Sequence, residues 1–302
     1  MYLELYGRDG GDRLGGNLVT IISQILYAIN NNIYIKYNKD SLKNNENIEL
    51  STYNNKYNKS IFIETLFDFI DEYNKNIIYD SDKKIDLFTM DFFEMISKVL
   101  INIKIDHFTF FKKNVYPKIK NNFLEKAKNK RYTDNISFNP NETILVHLRL
   151  DDCKFNNDYD GRICSEHFNK KINNNIIVDM NTHNESKILC QDCNLQAPLS
   201  KNKIQEQIDI ALKKHPNYEV IIITNPGEDT KQFPYRYIQN NDENLDLFLL
   251  CNSKIVILSR STYSLSSLFF GIAEEVYVPV WGHTSCFGIN NKYDKCNFNI
   301  FY

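Results

Sequence analysis

The stretch Ile144-Leu-Val-His-Leu-Arg-Leu-Asp-Asp152 constrains this chain more than any other. Ile144, Leu145 and Val146 form an apolar run that follows the turn-forming Asn139-Pro140-Asn141. So short a run with no polar face reads as a strand buried on both sides, and such strands belong to parallel sheets. Polarity then arrives at once, in His147, Arg149, Asp151 and Asp152. Open α/β sheets place ligand chemistry at the carboxyl ends of their strands, so these four side chains are the first candidates for a site. The competing reading is a surface Arg–Asp pair that caps the strand. Against it, Arg149 stands between Leu148 and Leu150, and a charge embedded in an apolar run needs a partner.

A strand of this kind needs parallel neighbours, and the beginning of the chain supplies the same grammar. Tyr2 to Tyr6 alternates as a strand does and runs into Gly7-Arg-Asp-Gly-Gly-Asp-Arg-Leu-Gly-Gly16. Asn17 is then placed to cap a helix whose apolar positions Leu18, Ile21, Ile22, Ile25, Leu26 and Ile29 recur at helical spacing up to Asn30. Ile33–Tyr37 follows as a second strand, which completes a βαβ unit. The glycines, with Gly15 and Gly16 closest to the helix, let backbone approach a ligand, and the helix start offers N–H groups to an anion. The loop fits neither the dinucleotide pattern G-x-G-x-x-G nor a Walker loop, so taken alone it reads equally well as a flexible connection.

Helical spacing returns in Ile61–Tyr73, in Phe92–Ile103 and in Phe108–Ala127, the last broken near Pro117. The polar segment Lys126–Asn139 carries the expected boundary between residues 1–135, a Rossmann-like domain with the glycine loop, and residues 136–302, a second domain with an irregular insertion at 153–199. Within the second, a helix over Lys201–Lys214 leads to a buried strand, Tyr218–Thr224, that ends in Thr224-Asn-Pro-Gly227. A short helix over Asn244–Cys251 precedes the strand Lys254–Leu258, which releases Ser259-Arg-Ser-Thr-Tyr-Ser264. The next helix runs through Ala273, and Glu275–Val278 is the final strand. Residues 281–302 have no clear pattern and are a candidate to cross back over the first domain. Hydroxyls at a strand-to-helix junction are good phosphate or sugar ligands, and four in six positions exceed what one helix cap requires.

A chain of 302 residues can bury one large core or two ordinary ones. Its 36 basic and 38 acidic residues nearly balance, which gives no support for a nucleic-acid-binding surface, so any anion must be met locally. No apolar run is long enough to span a membrane and the amino terminus lacks a signal-like pattern, which predicts a soluble protein. Seven cysteines, an odd number spread widely, argue for a reducing, cytoplasmic setting. Cys164-x-x-His167 and Cys190-x-x-Cys193 form two ligand pairs of the sort that close a structural zinc site, with His183 and Cys153 as substitutes; incidental cysteines are the alternative.

Three separated pieces resemble the fucosyltransferase superfamily, in particular the α-1,2- and α-1,6-fucosyltransferases and the protein O-fucosyltransferases. Asp12-Arg-Leu-Gly-Gly-Asn-Leu18 is similar to that family's first loop, and His147-Leu-Arg-Leu-Asp-Asp152 is similar to its H-x-R-R-x-D. Asp246-Leu-Phe-Leu-Leu-Cys251, followed by Ser259-Arg-Ser-Thr-Tyr-Ser264, resembles its acidic helix and serine cluster. The resemblance implies a GT-B-like fold, two Rossmann-type domains with a cleft between them, and inverting, metal-independent transfer of a sugar from a nucleotide diphosphate donor such as GDP-fucose to a glycan or protein acceptor. It implies that Arg149 neutralises the leaving diphosphate, that Asn17 and Asp152 act at the reacting centre, and that Gly15, Gly16, His147, Thr224, Ser259, Ser261, Thr262 and Ser264 meet the donor, with Asp246 at or behind the base. Two departures stand out: the family's second arginine is Leu150 and its loop asparagine position is Gly16, with Asn17 next to it. Asp9, Asp12 and Asp151 are the candidate general bases. Pyruvyl transfer to a polysaccharide is the rival within enzymes, and a non-catalytic sugar-nucleotide-binding or zinc-stabilised interaction protein is the rival outside them.

Overall fold

The structure is a computed structural model that describes residues 1–6, 14–37, 60–79, 81–85, 87, 107–128, 139–149, 199, 201–228, 230–239, 242–279 and 297–301. The chain is of the mixed α/β class and divides into two compact units, Met1–Asn135 and Ile136–Tyr302, each built on its own parallel sheet. Among the described residues no helix is long and apolar enough to cross a membrane.

In the first unit the strands β1 (Tyr2–Glu4), β2 (Tyr34–Lys36) and β3 (Lys84–Ile85) pair in the order β2-β1-β3. Helix α1 (Leu14–Asn30) joins β1 to β2. Its apolar positions Leu18, Ile21, Ile22, Ile25 and Leu26 are at most 1% exposed, and its polar positions Thr20, Ser23 and Gln24 are buried as well. A helix buried nearly all round must satisfy those polar groups internally: Thr20 donates to the Gly16 carbonyl at 2.9 Å and Ser23 to that of Val19 at 2.8 Å. Asn32, at φ 54, takes the left-handed conformation that ends the helix and turns the chain into β2. Helices α2 (Ile61–Asn74), α3 (His107–Asn114) and α4 (Tyr116–Lys128) complete the unit; the break near Pro117 falls at Val115, between the last two. The helical spacing read in Phe92–Ile103 lies outside the described residues.

In the second unit β4 (Thr143–His147), β5 (Glu219–Ile223), β6 (Arg236–Ile238), β7 (Ile255–Ile257), β8 (Glu275–Pro279) and β9 (Asn297–Phe301) form one sheet, every pair parallel, in the order β6-β5-β4-β7-β8-β9. The first strand of the unit is therefore in the middle. Every residue of β4 is buried, because an inner parallel strand is covered on both faces. Helix α5 (Lys201–Lys214) lays Ile204, Ile208 and Ala211 against Ile144, Val146, Val220, Ile222, Ile255 and Ile257 on one of those faces. Helices α6 (Glu243–Cys251) and α7 (Thr262–Phe270) flank β7 in sequence. The expectation that 281–302 crosses back over the first domain fails for Asn297–Phe301, which pairs with β8 and extends its own sheet; residues 281–296 lie outside the described residues. Helix α7 also stops at Phe270 rather than Ala273, since Ile272 turns to donate its N–H to the Cys251 carbonyl at 2.8 Å.

At the amino edge of this sheet Glu275, 8% exposed, ties α5 to β8. Lys214 Nζ lies 2.7 Å from its carboxylate, His215 Nε2 2.9 Å and the Tyr277 hydroxyl 2.6 Å. Burial pushes this carboxyl up, but the hydrogen bonds from Lys214, Tyr277 and His215 outweigh burial and hold it at about 2 against an ordinary 4.5. A carboxylate depressed in the folded state contributes stability above its unfolded pKa and loses it as pH falls through the folded value. The stability advantage of the wild-type chain over Glu275→Gln is therefore expected in full above about pH 4.5 and should vanish as pH falls toward 2. Acid unfolding of both chains followed by circular dichroism checks this, and a pH-independent difference would remove the carboxylate from the account.

Candidate functional site

The order of the second sheet determines where a ligand can lie. From β4 the chain moves outward to β5 and β6, then returns to place β7 on the other side of β4, so the connections leaving β4 and β7 diverge. Such a reversal opens a crevice beyond the carboxyl ends of the two strands, and open α/β sheets bind ligands there. The pairing of Ile144, Leu145 and Val146 with Ile255, Val256 and Ile257 puts His147 and Ser259 just past the last paired residues. Across that gap His147 Nδ1 and Ser259 Oγ are 2.7 Å apart, a buried hydrogen bond that links the two strand ends.

Around this bond the hydroxyl cluster sorts into distinct roles. Ser261 is the N-cap of α7, its side chain accepting from the Tyr263 N–H at 3.2 Å. Ser264 is fully buried and its hydroxyl donates to the carbonyls of Ser259 and Ser261, each at 3.1 Å. These bonds serve the fold of the junction: the Ser264 hydrogen is shared between two carbonyls, whereas the Ser261 bond uses a lone pair of its oxygen. Thr262, half-buried, is the first residue of α7, and its hydroxyl makes no hydrogen bond among the described residues. Four hydroxyls therefore resolve into one strand-to-strand link, one helix cap, one backbone clamp and one side chain left at the helix start.

Electrostatics separates α7 from the helix beside it. At the start of α6 Asp242 caps the N–H groups of Asn244 and Leu245, and Glu243 and Asp246 add acidity in the first turn. That helix end is already supplied with negative charge. The start of α7 has no acidic residue in its first turn, a neutral cap, and Arg260, 8% exposed, immediately before the cap. The start of α7 therefore has no acidic side chain of its own to oppose an anion, and in sequence Arg260 stands directly before its cap. Burial and then the Arg149 charge push the His147 imidazole down to about 3, so it is neutral over the ordinary pH range.

Tyr263 joins these parts. Its ring centroid is 5.5 Å from that of His147, and its hydroxyl donates to the Glu243 carbonyl at 2.5 Å. Burial, followed by the charges of Asp246 and Glu243, raises its phenol well above the usual range, which keeps it a hydrogen-bond donor. Asp246, whose charge acts on Tyr263, is half-buried in the first turn of α6. Thr224 is at the carboxyl end of β5, where its N–H donates to Ile238 at 3.2 Å; its hydroxyl is buried and has no partner among the described residues.

The sequence singles out neither Tyr263 nor Arg260. Each had a signal: a large aromatic and a cation set inside a run of small hydroxyl residues, where neither capping nor solubility asks for them.

Gly15, Gly16 and Asn17 belong to the first unit. Asn17 does not cap α1, a correction to the sequence reading; the helix begins at Leu14, and Gly15 and Gly16 are buried in its first turn. Gln24, also missed, holds the chain leaving β1: its side-chain carbonyl accepts from the Tyr6 N–H at 3.2 Å and its amide donates to the Tyr6 carbonyl at 2.9 Å. This buried amide fixes the point from which the glycine-rich segment departs. Asp9, Asp12, Leu150, Asp151 and Asp152 lie outside the described residues, as do Cys153, Cys164, His167, His183, Cys190 and Cys193. Among the described residues no three His, Cys, Asp or Glu side chains gather as a metal site. The chain matches no protein-family model, no curated protein and no solved structure.

Proposed function

We propose that this chain is a glycosyltransferase that binds a nucleotide diphosphate sugar at the crevice between β4 and β7 and transfers the sugar, with inversion and without a metal, to a glycan or protein acceptor. The carrying observation is the His147–Ser259 bond across the point where the strand order reverses, with the Arg149 charge acting on His147 and with Arg260 and the start of α7 following Ser259 in the chain. Cleavage of a glycosyl–phosphate bond builds charge on the departing diphosphate. Two guanidinium groups and a helix start whose cap is neutral would stabilise charge there, and a fixed arginine does so without reorganisation. The donor named by the resemblance is GDP-fucose, and the frame it implies is GT-B, two Rossmann-type halves of which the second holds the nucleotide. The lost second arginine at Leu150 bears on the choice of donor rather than on the class of reaction.

Thermal melting of the purified chain against GDP, UDP, dTDP and their sugars, without metal and again with Mg²⁺, tests the proposal. At a ligand concentration near 100 times Kd, binding adds about 2.7 kcal/mol, which raises the melting temperature of a unit this size by about 5–10 °C. A shift for GDP and GDP-fucose that does not need the metal is the expected result. A shift confined to another nucleotide replaces the donor, and a flat response to all of them rejects the nucleotide-sugar reading.

A further inference from the structure

The hydrogen bond between His147 and Ser259 decides which ring nitrogen carries a proton. A serine hydroxyl has one hydrogen to donate, and when buried it must find an acceptor. Ser259 is 5% exposed, and its Oγ has a single contact among the described residues, His147 Nδ1 at 2.7 Å. Were Nδ1 the donor, the hydroxyl hydrogen would have no acceptor there. Ser259 is therefore the donor and Nδ1 the acceptor.

The surroundings give the same answer. Arg149 on the same strand end opposes a positive ring, and Ser259 and the Tyr263 ring, the groups that meet His147 from β7 and α7, bring no negative charge. The carboxylates of Asp242, Glu243 and Asp246 act on Tyr263 and are not among the charges that act on His147. The two ring nitrogens of an imidazole point away from each other, so with Nδ1 on Ser259 the other nitrogen faces away from β7. It makes no hydrogen bond among the described residues, and the ring belongs to the last residue of β4, beside the point where the strand order reverses.

We infer that Nε2 of His147 carries the ring's one proton and donates it, as a hydrogen bond, to an acceptor oxygen of the bound nucleotide. The identity of that acceptor rests on the nucleotide reading above; the tautomer does not. A neutral N–H selects an oxygen lone pair, on a phosphate or a base carbonyl, and takes no proton from the acceptor substrate. His147 is then a binding residue rather than a general base.

The test uses the full chain labelled with ¹⁵N and long-range proton–nitrogen spectra of its imidazoles, with His147 assigned from the His147→Gln chain. Nδ1 is expected bare and Nε2 protonated, unchanged from about pH 8 to about pH 5, with the Nε2 resonances moving when GDP is added. A proton on Nδ1, or a ring that titrates near about 6.5, overturns the inference. Two substitutions probe the donor by calorimetry with GDP. Glutamine places its amide near the Nε2 position and asparagine near the Nδ1 position. His147→Gln should stay within about threefold of wild-type affinity, while His147→Asn should lose about tenfold or more; the opposite order overturns the inference. A wild-type chain that takes no GDP brings down the nucleotide reading and the acceptor named here, while the spectra still decide the tautomer.

Discussion

Replacing Arg149 by alanine is expected to weaken GDP binding by about 10- to 150-fold while moving the melting temperature by no more than about 2 °C. The asymmetry follows from where the residue stands. Arg149 is two residues beyond the last residue of β4, half-buried, at the crevice and not among the apolar side chains that pack α5 onto the sheet. Its loss leaves the apolar cluster around Ile144 and Val146 whole. It removes a guanidinium that meets a diphosphate with two parallel N–H groups, and hydrogen bonds to charged oxygens are among the stronger ones. Arg149→Lys keeps the charge but not the fork and should fall between the two. Calorimetry with GDP and melting curves on the same preparations separate the readings. Unchanged affinity with a melting temperature several degrees lower would return Arg149 to the capping role.

The parts of the fold that were legible are those in which one physical effect dominates. β4, β5 and β7 are inner parallel strands, and burial on both faces leaves them as the plain apolar runs Ile144–Val146, Val220–Ile223 and Ile255–Ile257. α1 and α5 were readable from spacing alone. The outer strands β3, β6 and β9 were not. β6 contributes one buried residue, Ile238, and its Arg236 faces Glu219 at 3.5 Å on the surface. An edge strand of this sort obeys backbone pairing more than side-chain pattern, so nothing periodic marks it. β3, with two residues, and β9 escaped for the same reason.

The candidate site was legible as a place more than as a set of roles. Strand ends that release His147, Arg149 and the serine cluster can be read from the order of residues, since polarity follows each apolar run directly. What a sequence cannot count is acceptors. Ser264 reads as a free hydroxyl until the carbonyls of Ser259 and Ser261 turn toward it, and Ser259 reads like its neighbours until β7 lies beside β4. Asn17 shows the same limit: it has a capping side chain, but the helix that it would cap begins three residues earlier.

Gly271→Ala is expected to lower the melting temperature by about 3–10 °C, through packing alone. The glycine has φ −95 and ψ 169, a conformation any residue adopts, so its backbone does not require it. Space does. A Cβ added there would stand 2.6 Å from the Ser267 carbonyl oxygen, 3.2 Å from that of Cys251 and 3.3 Å from the Cys251 Cα. All three are main-chain atoms, which cannot rotate away as a side chain can: Ser267 belongs to α7 itself, so the turn that leaves this helix must shift, and Cys251 ends α6, so the spacing of the two helices must give as well. Overpacking of this kind costs about 1–3 kcal/mol. The helices touch again at their other ends, where Tyr263 of α7 reaches the Glu243 carbonyl of α6 and lies against His147. Separation at Gly271 should therefore be felt at the crevice, as a loss of GDP affinity that accompanies the loss of stability. The pairing of effects distinguishes this change from Arg149→Ala, in which affinity alone falls. A Gly271→Ala chain with wild-type melting and wild-type GDP affinity would show that the two helices yield at this point without cost, and that the crevice does not depend on their spacing.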